Sequence, residues 1–528
     1  MLKITAGVAA VALLIGMILI RPIWPEVRVF AALYPIPIVL IVMIGFRWGG
    51  QRAGPIGLFT GLAVAAIFFE LTTSTLLASQ IKGLVVSVLV LVILWPALML
   101  YNLVDQAGGI AATARALRKL ITDHGLLLIM LTWAFSAVLE GVAGFGIPIA
   151  IVAPMLVTLG VAPIAAVAAV AVGHAWSVAF GDMGVIFQTL VSVTNADPNA
   201  IVPYAALLLG VTCLLCGLAA MRILGLRGYA LMIVILTAVM SLTQYVVAAS
   251  GLASMASLVA GLAGIGAGTV LVRLPAFRRT APLPAEAAGS LLAADRAPLR
   301  AAVASYSALA LLFAAVVLIT PLNQMLNAVT WTITYLYGAQ NFKQAIHPLT
   351  HPGMIVLAVT GLSYIIYRIT GLLAQGDGRL ALRKTSNAAL PVTIGILTMV
   401  GLSTLMEYTG MTQLLAEALS SRLDHFFPLV SPLVGILGAF ATGSNNNSNV
   451  LLGPLQNNVA HILSIAPALL LAAQTSGGAI GSMIAPAKII VGCSTVNLKD
   501  RDGDVLRITM PYGLLIGLII GVIALALV

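Results

Sequence analysis

Apolar runs of about 20 residues, separated by short joints rich in Gly, Pro or charge, recur along the chain. They lie near 2–20, 29–46, 55–71, 82–104, 201–221, 229–249, 252–272, 301–320, 353–369, 388–408 and 508–527. At about 1.5 Å per residue each is close to the roughly 30 Å that a helix needs to cross a bilayer. Two further regions, 126–195 and 426–496, are apolar but interrupted by Gly, Pro, Asn and Ser. Irregular backbone at membrane depth is tolerated where protein encloses it or it lines a polar cavity. The pattern predicts an all-α polytopic membrane protein whose two interrupted regions form the working parts.

Composition strengthens this reading. Of the 528 residues 61% are hydrophobic and 8% charged, with a mean hydropathy of +1.11. A soluble domain is about a quarter charged, so a soluble enzyme, a disordered chain and a nucleic-acid binder are all excluded as readings. The three cysteines, Cys213, Cys216 and Cys493, sit in apolar runs and lack the spacing of a zinc site, so no metal and no cofactor is expected. The first run has Lys3 ahead of it and no small-residue cleavage site before Arg21 and Pro22, so residues 1–28 read as an extra N-terminal membrane helix rather than a leader.

The net charge of +10 reflects topology. If 126–160 and 426–463 are re-entrant hairpins and 163–195 and 466–496 are broken crossings, thirteen crossings result. With the N-terminus cytoplasmic, 21 of the 26 Lys and Arg residues then fall inside, as the positive-inside rule requires. Turning one hairpin into a full crossing would invert everything after it.

The two halves also resemble each other at an offset of about 304. Laying the segment from Gly160 on that from Ser464 brings Pro163 onto Pro467, Ala168 and Ala169 onto Ala472 and Ala473, and Gly173 onto Gly477. With the first hairpin opening from the inside and the second from the outside, this is the pattern of an inverted-repeat secondary transporter. The expected units are 29–221, containing hairpin 126–160 and broken helix 163–195, and 301–528, containing hairpin 426–463 and broken helix 466–496. Residues 222–300 connect them, with the charged, Pro-rich stretch 273–300 as a cytoplasmic loop.

Candidate chemistry concentrates in the interruptions. The turn around Ser444, Asn445, Asn446, Asn447, Ser448 and Asn449 puts six uncharged hydrogen-bonding side chains between apolar flanks, and such groups are costly to bury unpaired. Amide donors at a half-helix start suit a carboxylate, whereas side-chain oxygens suit a cation. Across the repeat, Gly144, Phe145 and Gly146 allow a sharp turn and close approach of a ligand. Glu140 is that hairpin's one carboxylate, and an intramembrane carboxylate is a proton-coupling candidate; a structural carboxylate is the competing reading. His174 is a second candidate, against a plain helix contact. Asp182 joins Glu140 and His174 as a proton-coupling candidate and Lys488 is the candidate charge partner of an anion, the competing readings being that the two pair with each other or sit at a mouth of the pathway. Ser476 and Gly477 complete the expected substrate site. The segment 327–344 reads as an outer-surface helix or a short insertion.

At WPALMLYNL (95–103), EGVAGFGIPIAIVAP (140–154), VAFGDMG (178–184), TGSNNNSNVLLGPLQ (442–456), LLAAQTSGGAIGSMIAP (470–486) and DVLRITMPY (504–512) the chain resembles the lactate permease family, which includes glycolate permeases. The resemblance covers both halves in order. It implies a proton symporter of a small 2-hydroxymonocarboxylate in the cell membrane, L-lactate, D-lactate or glycolate. It also implies an elevator-type architecture, with a transport domain carrying two hairpins against a scaffold. The chain departs from the family pattern at His174, Asp182, Ser482 and Lys488, which leaves the identity of the anion open. The rival within the class is a sodium-coupled carrier of another small organic anion. A membrane-embedded enzyme is a remote alternative, because no nucleophile motif, phosphate loop or metal-ligand carboxylate pair is present. The expected partners are the anion, H+ and the bilayer; oligomeric state is open, a homodimer being one option.

Overall fold

The computed structural model describes residues 17, 27–46, 48–121, 123–144, 146–274, 277, 300–337, 340–498 and 501–528. Apart from Met17, the N-terminal run at 2–20 lies outside them, as do most of the loop 273–300 and Phe145.

Helices dominate the described residues. In chain order they are α1 Val27–Leu33, α2 Pro35–Phe46, α3 Gly50–Phe68, α4 Thr73–Gln106, α5 Gly109–Leu120, α6 His124–Val142, α7 Ile147–Thr158, α8 Pro163–Gly173, α9 Val185–Thr194, α10 Pro198–Ile223, α11 Ala230–Val247 and α12 Ala256–Leu271. The second half supplies α13 Arg300–Leu318, α14 Thr320–Asn327, α15 Pro352–Ile369, α16 Asp377–Tyr408, α17 Met411–Leu423, α18 Phe427–Thr442, α19 Asn445–Ile462, α20 Pro467–Met483, α21 Pro486–Thr495 and α22 Asp502–Ala526. Among the described residues, eleven helical runs are long and apolar enough to cross a membrane, or up to twelve if α13 and α14, which meet at an 83° bend, make one span. The protein is a multi-pass membrane protein.

One segment departs from the helical expectation. Trp331–Tyr337 (β1) and Gln340–Ile346 (β2) form a two-stranded antiparallel sheet with Trp331 opposite Ile346. The run WTITYLY explains it: aromatic and β-branched residues at successive positions favour an extended, pleated backbone over a helix. Elsewhere hydropathy alone stops too early. Both α4 and α16 run well past their apolar cores, to 34 and 32 residues, and the amphipathic helices α5 and α17 were not resolved by a search for apolar runs.

The two halves use the same succession of parts. A long helix (α4, α16) ends at a left-handed glycine, Gly108 or Gly410, that starts a short amphipathic helix (α5, α17). A helical hairpin follows (α6–α7, α18–α19), then an interrupted helix (α8–α9, α20–α21) begun by Pro163 or Pro467, then a closing helix (α10, α22). Packing is exchanged between halves. Helix α3 lies on α16 and α15 on α4; α10 lies on α20 and α22 on α8; the second hairpin arms α7 and α19 lie on α21 and α9.

Helices α4 and α16 run antiparallel, held by polar contacts spaced along their length. Gln80 Nε2 donates to Gly401 C=O (3.1 Å), Trp95 Nε1 to Thr393 Oγ1 (3.1 Å) and Asn102 Nδ2 to Thr385 Oγ1 (3.0 Å), with Lys384 3.4 Å from Asp105. Asn102 and Tyr408, at matching helix ends, therefore belong to this joint; Tyr408 lies beneath the Lys82 ammonium. Lys82 is buried and contacts both Glu407 oxygens at 2.8 and 3.0 Å. Removing one member of such a pair leaves the other charge in an apolar setting. Lys82→Met is expected to destabilise the purified protein by about 1–3 kcal/mol, the range for a hydrogen-bonded charge with one half-exposed partner. Lys82→Met/Glu407→Leu is expected to recover most of that loss. Thermal melting in detergent checks this; a double variant no better than the single one contradicts it.

Candidate functional site

The second hairpin reverses at Gly443, whose left-handed backbone (φ 74°) ends α18, and restarts at the extended Ser444. The amides of Asn445, Asn446 and Asn447 precede the first intrahelical bond of α19, from Ser448 N–H to Ser444 C=O, and no side chain caps them. The start of α21 likewise has no side-chain cap. Both helix starts therefore direct partial positive charge at what faces them.

They face a common cavity of about 530 Å3. Its wall includes residues 442–447 from the hairpin tip, Pro486, Ala487 and Lys488 from α21, Asp182 from the break before α9, Ile186 from α9, Pro391 and Gly395 from α16, the Trp48–Gln51 joint, and Asp502 at the start of α22. Lys488 is only 9% exposed and has no carboxylate within ion-pair distance among the described residues. Both hairpin tips reach its helix turn: a side chain at Gly443 would stand 3.2 Å from Ala487, and one at Gly146 would stand 3.9 Å from Lys488.

Behind that turn lies a second group of titratable residues. Asp182 and Met183 (φ 52° and 53°) and Gly184 (φ 81°) are consecutive left-handed residues, a conformation costly for the first two. The surroundings compensate: Asp182 Oδ1 accepts the backbone N–H of Gly144, clamping the first hairpin tip to the break. A Cβ at Gly144 would collide with both Asp182 Oδ1 and Glu140 Oε1, so the glycine leaves room for two facing carboxyl groups. Glu140 is fully buried and neither of its oxygens has a hydrogen-bond partner. His174 Nε2 lies 3.9 Å from Glu140 Oε2 and is also unpartnered, while Nδ1 is 2.6 Å from Val170 C=O.

The asparagine-rich turn divides into two functions. Asn446 and Asn447 line the cavity with Ser444 and Asn445. Asn445 also donates to Thr475 C=O (3.0 Å), Asn449 to Thr475 Oγ1 (3.0 Å) and Gln474 to Ser448 Oγ (3.0 Å), while Gln456 donates to Gln474 Oε1 (3.1 Å). Thus Ser448 and Asn449 knit α19 to α20 and do not line the cavity. Nor do Ser476 and Gly477, since Gly477 packs against the backbone of Pro432 on α18; Gly144, Glu140 and His174 are likewise set back from it. Sequence reading missed the Trp48–Gln51 joint and Pro391–Gly395. The first had a visible signal, the polar WGGQ between apolar runs; the second sits inside a continuous helix and had none.

Crowding at Gly144 has a measurable consequence. Gly144→Ala is expected to cost about 1–3 kcal/mol through overpacking, whereas Gly266→Ala, on α12 with open space around it, gains up to about 1 kcal/mol of helix propensity. Melting temperatures in detergent read the difference, and equal effects at the two positions would refute the packed geometry.

Comparison with known proteins agrees with this chain from its first described helix onward. The family model for L-lactate permease matches residues 28–528. Among curated relatives, the L-lactate permease of Streptococcus iniae is 27% identical, over 83% of this chain and 91% of its own length. The glycolate permease GlcA of Escherichia coli K12 is 26% identical, over 94% of each chain. Among solved structures, the YdaH transporter of Alcanivorax borkumensis aligns with a TM-score of 0.47 at 18% identity, covering 82% of this chain and 84% of that one. With the model spanning all but the first 27 residues, the chain belongs to the L-lactate permease family.

Proposed function

We propose that this transporter moves a small 2-hydroxymonocarboxylate, of the lactate or glycolate class, by proton symport. The observation that carries the reading is the convergence of two uncapped helix starts and the unpaired, buried Lys488 on one cavity. Two partial positive charges and the Lys488 ammonium, on a wall that also holds Asp182 and Asp502, give a single negative charge a seat. The amides of Asn446 and Asn447 supply donors and acceptors for the carboxylate and the neighbouring hydroxyl. Relatives named L-lactate permease and glycolate permease support the substrate class. Asp182, Glu140 and His174 are the proton-carrying groups in this reading, because they are the buried titratable side chains on or behind the cavity wall, whereas Asp502 on that wall is partly exposed.

The architecture in this proposal is an inverted repeat of 29–221 and 301–528. The antiparallel α4 and α16 and the exchanged packing of the halves support it. Helix α7, at 12 residues, is about 18 Å long, well short of a bilayer core, which favours a re-entrant hairpin. In this reading α3, α4, α15 and α16 form the scaffold, the hairpins and broken helices form the moving transport domain, and the N-terminus is cytoplasmic.

Uptake of radiolabelled L-lactate and glycolate into proteoliposomes, with an inward proton gradient and no sodium, tests the reading. Accumulation is expected, abolished by a protonophore, at least tenfold lower in Lys488→Met and Asn446→Ala, and within twofold of normal in Gly266→Ala. Accumulation that follows a sodium gradient and ignores pH would replace the proton with sodium.

A further inference from the structure

The buried charged and titratable residues around the cavity, apart from the partly exposed Asp502 on its wall, form a set that can be counted. Lys488 contributes one positive charge. Glu140 and Asp182 face each other across Gly144, and two carboxylates so close in an apolar setting do not both ionise. Glu140 is also without a donor to either oxygen, so an anion there would be uncompensated. The carboxyl pair thus holds one resident proton and carries one negative charge, which balances Lys488. His174 completes the set. Its Nδ1 faces a carbonyl oxygen, which only accepts, so Nδ1 carries a hydrogen and Nε2 is the bare nitrogen pointing at Glu140. The charged and titratable groups that act on His174 and Asp182 are Glu140 and Lys488; the Cys216 thiol reaches only the backbone of Trp176 beside them.

Building on the symport reading, we propose that His174 Nε2 is the seat of the co-transported proton, delivered from the cavity through Asp182 and Glu140. The delivery balances. The resident Glu140 O–H proton passes to Nε2, the incoming proton bound at the Asp182 carboxylate replaces it on Glu140, and imidazolium is left beside a carboxyl pair that again holds one proton. Before loading the set is neutral. A monovalent anion adds one negative charge at Lys488, and the proton on His174 restores neutrality. One proton per anion is therefore what a low-dielectric site selects, since crossing the membrane with net charge is costly. Transport by the unaltered protein is electroneutral.

Removing the seat changes what drives transport. Asparagine at 174 keeps a donor for Val170 but accepts no proton, so the loaded site of His174→Asn crosses with one net negative charge. In proteoliposomes with a potassium and valinomycin-imposed potential, lactate uptake by the unaltered protein is expected to change less than twofold between inside-negative and inside-positive. In His174→Asn, uptake is expected to be at least fivefold faster with the inside positive, and the response to a pH gradient is lost while lactate–lactate exchange persists. His174→Gln serves as a second variant if the first does not purify as a monodisperse protein. Persisting pH-driven, potential-independent accumulation in either variant overturns the assignment, as does loss of exchange from folded protein, which would make His174 a binding or structural residue. Failure of the unaltered protein to move lactate or glycolate under any gradient falls instead on the substrate reading.

Discussion

Inside an apolar slab every backbone N–H and C=O must find a partner within the protein, and the rest of this structure follows from how its helix interruptions meet that demand. The chain breaks its helices at two hairpin tips and two mid-helix breaks, and protein encloses each. The first tip gives the Gly144 amide to Asp182; the carboxylate thereby holds a tip and a strained break in one contact. The second tip leaves the first amides of α19 facing a cavity. The same rule that forbids loose backbone toward lipid thus concentrates unsatisfied donors where a ligand can meet them.

Around these interruptions the protein separates two kinds of polar burial. Along α4 and α16, and between α19 and α20, amides and hydroxyls are paired with each other or with backbone carbonyls. Such cross-helix networks rigidify, although Asn449 Oδ1 and Gln456 Oε1 accept no hydrogen bond. Behind the cavity, Glu140 and His174 Nε2 are buried without a hydrogen-bond partner, and Lys488 is buried without an ion pair among the described residues. Groups of that kind are costly to keep, and here the two that titrate face each other behind the cavity.

Much of this was legible in the chain. Hydropathy gave most spans to within a turn, because the bilayer sets helix length, and Pro163 and Pro467 do begin equivalent helices. Both tips were found from Gly and Asn between apolar flanks. The β-hairpin at 331–346 excludes the outer-surface helix and leaves the short insertion, two readings that stay open until the alternation of aromatic and β-branched residues is weighed. The roles inside TGSNNNSNV were not separable either. Asn446 and Asn449 are the same residue three positions apart, and which one faces the cavity depends on where α20 lies.

The sequence by itself determined that this is a multi-pass membrane protein, where its helices break, and which side chains have chemistry to offer, because each of these is set by local composition and length. Only the tertiary structure decided which of those side chains meet. Lys82 with Glu407, Glu140 with His174 and Asp182, and Lys488 with the first tip are all joined across tens to hundreds of residues. Their proximity comes from the packing of whole helices, which no local pattern encodes.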